Sequence, residues 1–155
     1  MALAGLSCKS APTASGVEIV GDVTQGKVDD AFNQIYDAYR SSLDLSGAQE
    51  YTVQRGDTLS QITRDHYGQL ANVGSAGQSN GFYYPLLMLA SHNLIVDPDL
   101  IEPGMRLLIP DLRRNLDNAA SRRAIKDCLK DVAYIYNRKG RPAEEEGLIR
   151  LSDSL

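Results

Sequence analysis

The sequence predicts an α+β fold: a strand–helix–helix–strand unit with a two-stranded antiparallel sheet, flanked by N- and C-terminal helices. Three observations predict it. Short β-prone runs at 51–54 and 106–109 stand at the two ends of the segment 50–111. Between them lie two stretches with helical patterning and helical start signals. Outside them, residues 27–43 and 115–139 carry apolar side chains at three- and four-residue spacing, the mark of a helix with one buried face.

The elements follow in order. Residues 1–26 form a tether. Small and apolar residues 2–7 lead into Cys8, and 9–26 are rich in Ser, Ala, Thr, Gly and Pro, with a short extended piece at 17–20. Residues 27–49 hold the N-terminal helix, whose stripe is Val28, Ala31, Phe32, Ile35, Tyr36 and Tyr39. Tyr51-Thr52-Val53-Gln54 is the first strand, and Arg55-Gly56 turns the chain. Asp57 or Thr58 caps the next helix, since either side chain can accept from its free N–H groups. Leu59, Ile62, Thr63 and His66 keep helical spacing up to Tyr67-Gly68. Residues 69–81 are small and polar and read as a loop. Pro85 suits the first turn of a helix reaching Asn93, apolar nearly all round and therefore buried. The Pro103-Gly104 turn leads to the second strand, Arg106-Leu107-Leu108-Ile109. Residues 112–155 form a helical extension with one long helix at 115–139 and a last one at 143–151.

Composition removes several classes of function. The chain has 155 residues, room for one compact domain with flanks, and no internal repeat. No apolar run reaches the roughly 18–20 residues of a membrane span. A net charge of −4 argues against a nucleic-acid partner, which calls for a basic surface. Two cysteines make neither a disulfide framework nor a zinc site, so no metal and no cofactor is expected. Charge is uneven: residues 112–155 carry 10 basic and 7 acidic side chains, against 3 and 7 in 50–111, which places a boundary near 111.

Two motifs carry a family resemblance. Tyr51-Thr-Val-Gln-Arg-Gly-Asp-Thr-Leu59 and Asp97-Pro-Asp-Leu-Ile-Glu-Pro-Gly-Met-Arg-Leu-Leu-Ile-Pro110, with Asn93 between them, resemble the opening and closing segments of a LysM domain. The resemblance covers residues 50–111, and the 69–81 connection is longer than in a common LysM domain. It implies a βααβ fold and a noncatalytic role. N-acetylglucosamine units of peptidoglycan, or a related polymer, would lie between two loops. Gly56, Asp57, Thr58 and Leu59 form one wall; Leu94, Ile95, Val96, Asp97 and Pro98 form the other. With no tryptophan, such a site relies on aliphatic contacts and backbone hydrogen bonds. The alternative is a periplasmic scaffold that uses the flanking helices or the long loop to bind an envelope protein partner.

The start of the chain resembles the end of a lipoprotein signal, with Cys8 as the lipidated residue, and the whole resembles LysM-containing lipoproteins of spirochaetes. That implies a periplasmic or cell-envelope location, with contact to a membrane only through the lipid anchor.

Enzymatic candidates are poor. Cys128 sits on the apolar face of a predicted helix with no histidine following it. Asp97 and Asp99 are the candidate carboxylate pair for glycoside cleavage, but they lie in the loop of a noncatalytic module. His66 and His92 each end a helix without metal-ligand spacing. Arg113, Arg114, Arg122, Arg123, Lys126 and Lys130 read as a solvated basic face with local partners such as Arg123 with Asp127.

Overall fold

The computed structural model describes residues 13–68, 70 and 80–155. Cys8 and most of the 69–81 loop lie outside the described residues. The architecture is α+β, with six α-helices and one two-stranded sheet among those residues.

Strands β1 (Gln49–Thr52) and β2 (Arg106–Ile109) pair antiparallel, with Tyr51 opposite Leu107 and Thr52 opposite Arg106. β2 falls where its sequence predicts it. β1 lies two residues earlier than the predicted 51–54. The cause is local: the Gln54 N–H is taken by the Asp57 carboxylate at 2.8 Å, so the ladder cannot continue through it. Beyond the strand proper, Val53 and Met105 still share a backbone bond of 2.9 Å. Leu107 and Ile109 point into the core, and Ser91 Oγ accepts from the Leu108 N–H at 2.9 Å.

Helix α1 (Gln25–Tyr39) buries the six residues of its predicted stripe and ends in a 3₁₀ turn at Arg40–Ser42. Helix α2 (Leu59–Tyr67) is capped by Thr58, which accepts from the Gln61 N–H, and closes at Gly68. Its last residue is pinned by the Tyr67 hydroxyl, which donates to the Pro110 carbonyl at 2.7 Å. A 3₁₀ turn, Asn80–Tyr83, leads into α3 (Tyr84–Ala90). α3 is buried nearly all round, as its composition requires. It stops short of Asn93 because the Ser91 carbonyl accepts from both Leu94 and Ile95 and turns the chain.

The single helix predicted at 115–139 is two: α4 (Leu112–Asp117) and α5 (Ala119–Arg138). Asn118 breaks them. It is extended, and its side chain caps α5 through the Ser121 N–H at 3.0 Å, the competition with helix that Asn offers. Asn115 is fully buried and bonds both the N–H and the carbonyl of Asp44, locking the loop after α1 onto α4. Gly140, with φ at +71°, reverses the chain into α6 (Pro142–Asp153), which packs along α5. On the exposed basic face, Lys130 pairs with Asp153 at 3.3 Å, and no Arg123–Asp127 ion pair forms among the described residues.

The N-terminal segment departs from a tether over its described part. Val17 and Ile19 are buried in the common core. Asp131 of α5, itself 1% exposed, accepts from the N–H groups of Ala14 (3.1 Å) and Ser15 (2.9 Å) and from the Tyr39 hydroxyl (2.7 Å). A buried carboxylate needs such donors. Here they come from a segment whose small polar composition conceals its two core residues.

Candidate functional site

The first wall of the site is the turn between β1 and α2. Gly56 has φ at +92°, a conformation open to glycine and strained for other residues. A Cβ there would meet nothing within 4 Å, so the glycine is required by the backbone angle rather than by space. Asp57 fixes the turn: its Oδ2 accepts from the Tyr51 hydroxyl and the Gln54 N–H, both at 2.8 Å. That bond to Asp57 raises the Tyr51 hydroxyl above its ordinary titration range. Thr58 is exposed and caps α2, while the Leu59 side chain is 3% exposed.

The second wall is the loop from α3 to β2. Leu94 and Val96 are exposed apolar side chains, whereas Ile95 and Asp97 are buried. Asp97 is saturated: it accepts from Gln25 Nε2 (2.9 Å), the Asp99 N–H (2.9 Å) and Lys139 Nζ (3.3 Å). The Ile95 carbonyl accepts from the Tyr36 hydroxyl at 2.6 Å. α1 and α5 thus hold this loop from beneath.

An opening of about 480 Å³ lies between the walls. Of the residues expected from the sequence, Asp57, Thr58, Leu59 and Pro98 line it. Gly56 belongs to the turn beside it. Leu94, Ile95, Val96 and Asp97 are not among its lining residues. The physical reason is the loop's anchoring: Ile95 and Asp97 face the protein, and the lining passes to Pro98, Asp99 and Ile101.

Sequence reasoning missed the rest of the lining. Phe82 and Tyr84 come from the turn before α3 and from its first residue. Tyr136, Arg141 and Glu144 come from the corner between α5 and α6. The run Phe82-Tyr83-Tyr84 was a legible aromatic cluster. Nothing in the sequence ties residues 136–144 to residues 57–60. These aromatic side chains line the opening beside the aliphatic ones expected from the sequence.

The corner is fastened by charge. Asp99 Oδ2 lies 2.6 Å from Lys139 Nζ and 2.8 Å from Arg141 Nη1, and Arg141 also pairs with Glu144. Burial pushes the Asp99 carboxyl up, but the bonds from Lys139 and Arg141 outweigh it and hold it below its ordinary value. Both cations also stand over the Tyr136 ring, at 5.2 and 5.0 Å from its centre. The Tyr136 hydroxyl donates to Asp99 Oδ1 at 3.2 Å. Burial, and then the Asp99 charge, push it far above the ordinary phenol range. Tyr84 stacks edge-on against Tyr136 with ring centres 6.3 Å apart.

The enzymatic candidates are placed as follows. Asp97 and Asp99 share one lysine, and Asp97 is closed to solvent. Cys128 is buried, and burial pushes its thiol well above the ordinary range, away from the nucleophilic thiolate. His66 Nδ1 bonds the Ile62 carbonyl at 2.8 Å, and its ring packs edge-on against Tyr51. His92 Nε2 accepts from Arg40 at 2.9 Å. Among the described residues, no group of three or more His, Cys, Asp or Glu is arranged to hold a metal ion. No described helix is long and apolar enough to cross a membrane.

The sequence profile of the LysM domain matches residues 51–74, which hold the end of β1, the Gly56 turn and α2. Neither a characterised protein nor a solved structure shows significant similarity to the chain.

Proposed function

From the match of residues 51–74 to the LysM profile, we propose that the chain binds an N-acetylglucosamine-containing glycan of the peptidoglycan type without cleaving it. LysM domains in general are modules that bind such glycans, and they are typically noncatalytic. The observation that carries the reading is the juxtaposition of two loops. The β1–α2 turn and the loop before β2 line one opening of about 480 Å³, within the range of small-ligand sites. Phe82 and Ile101, both half-buried in the lining, offer apolar surface to the face of a sugar ring. The Thr58 hydroxyl and nearby backbone groups offer hydrogen bonds to an acetamido group.

Cleavage is disfavoured by the state of the carboxylates. A glycosidase needs two acids tuned apart and open to substrate. Asp99 is held ionised by two cations, and Asp97 is buried and fully bonded. A ligand of this class fits a cell-envelope location, where lipidation at Cys8 would add a membrane tether.

A binding constant on the order of 0.1–1 mM suits so small a contact, about −4 to −5.5 kcal/mol. Cosedimentation with purified peptidoglycan tests the reading, with soluble muropeptide release measured in parallel. Retention in the pellet without release is expected. A second reading, a protein-interaction scaffold, draws on the exposure of Leu94 (45%), Val96 (47%) and Leu100 (59%) on one loop. It takes the lead if the protein stays in the supernatant.

A further inference from the structure

The loop that forms the second wall is not held by the strand–helix–helix–strand unit itself. Within that unit, the carboxylate of Asp97, 1% exposed, accepts only from the Asp99 N–H among the described residues. Its other donors come from the two flanks: Gln25 at the start of α1 and Lys139 just past the end of α5. Lys139 is itself 16% exposed and also reaches Asp99, at 2.6 Å.

The two carboxylates are not equally provided for. Asp99 has a second cation in Arg141, at 2.8 Å. Asp97 has no ion pair but Lys139 among the described residues. Without that ammonium, a buried charge keeps only neutral donors, an amide side chain and a backbone N–H. An unpaired buried charge is costly, and the loop lowers the cost by opening Asp97 to water. Pro98, Asp99 and Ile101 follow Asp97 in the chain and line the opening, whereas Lys139 does not. Any effect of Lys139 on a bound ligand therefore passes through the loop.

We propose that Lys139 is a positioning residue for the glycan site: by neutralising buried Asp97 from the C-terminal flank, it keeps the wall at 98–101 in its ligand-competent place. This rests on the glycan reading above and adds what governs the affinity of the same pocket. Residues 50–111 supply both loops, but the competent shape of the second depends on a side chain outside them.

The test is an NMR titration of the intact chain with the tetramer of N-acetylglucosamine, a neutral ligand. Lys139→Met keeps an apolar stem beside the Tyr136 ring and removes the charge. It is expected to leave the closed loop about one-tenth populated and so to weaken the apparent affinity about tenfold. Lys139→Arg retains the charge, and affinity within about threefold of native is expected. Combining Lys139→Met with Asp97→Asn removes the uncompensated charge, and recovery to within about threefold of native is expected. A lysine that merely packs would not be rescued by a change of charge at Asp97. Unchanged resonances of α1 and α3 report an intact fold; should Lys139→Met not fold, Lys139→Gln, which keeps a donor, takes its place. Native affinity in the folded single variant, or no recovery in the double variant, overturns this inference and leaves the glycan reading standing. No binding by the native chain at millimolar ligand overturns both.

Discussion

The Phe82 ring packs directly on Gly147, in a space that a Cβ on residue 147 would fill. A wall residue of the candidate pocket is therefore seated on α6 through the absence of one side chain. Gly147→Ala is expected to push the ring out or α6 away, at a cost of about 1–3 kcal/mol for overpacking. Denaturant unfolding measures the stability. Glycan titration of the folded variant is expected to show weaker binding, because Phe82 lines the opening.

Phe82 and Val96 separate the pocket from the exposed loop. Phe82→Ala is expected to weaken glycan binding by about 1 kcal/mol, the scale of one aromatic contact. Val96→Asp, on a side chain outside the lining, is expected to change it by less than about 0.5 kcal/mol. The reverse ranking in a calorimetric titration would move the site from the pocket to the 94–97 loop.

Asp131 holds the N-terminal segment. Asp131→Ala leaves the Tyr39 hydroxyl and the N–H groups of Ala14 and Ser15 without their acceptor. A loss of about 2–4 kcal/mol is expected from several unpaired buried donors. Hydrogen exchange should show faster exchange of the Ala14 and Ser15 amides. Unchanged protection there would show that Val17 and Ile19 suffice to dock the segment.

Asp99 makes stability depend on acid. Its folded value lies below the ordinary carboxylate value, so the fold favours the charged form. The contribution is complete above the unfolded value of about 3.9 and is lost as pH falls through the lower folded value. Unfolding free energy measured from about pH 5 down to pH 2 should fall less steeply in Asp99→Asn than in the native chain.

At the alkaline end the sign reverses. Burial raises the hydroxyls of Tyr36, Tyr39, Tyr67 and Tyr136 far above the ordinary value, and that of Tyr83 to about 12. Their folded values exceed the unfolded value of about 10, so stability is complete below it and declines as pH rises further. An ultraviolet titration should find these phenols ionising only as the chain unfolds, after any exposed ones.

The sequence alone determined whatever depends on local pattern. The stripe of α1, the Thr58 cap, the all-round apolar character of α3 and the position of β2 follow from periodicity and from backbone chemistry within a few residues. The Gly56-Asp57-Thr58 turn into α2 was legible for the same reason, since its signals lie within a few residues. Asn118 could have been read as a helix break, but a continuous apolar face ran through it, and only its side-chain cap separates α4 from α5.

Tertiary structure decided the rest. It packed Val17 and Ile19 into the core, which small polar neighbours had masked, and closed Asp97 to solvent through partners 72 and 42 positions away. It brought Tyr136, Arg141 and Glu144 to a turn near residue 57. The ion pairs and aromatic packing that do this join side chains far apart in the chain, and their partnership depends on how helices fold back on one another. Periodicity reports which face of a helix is buried; it does not say against what.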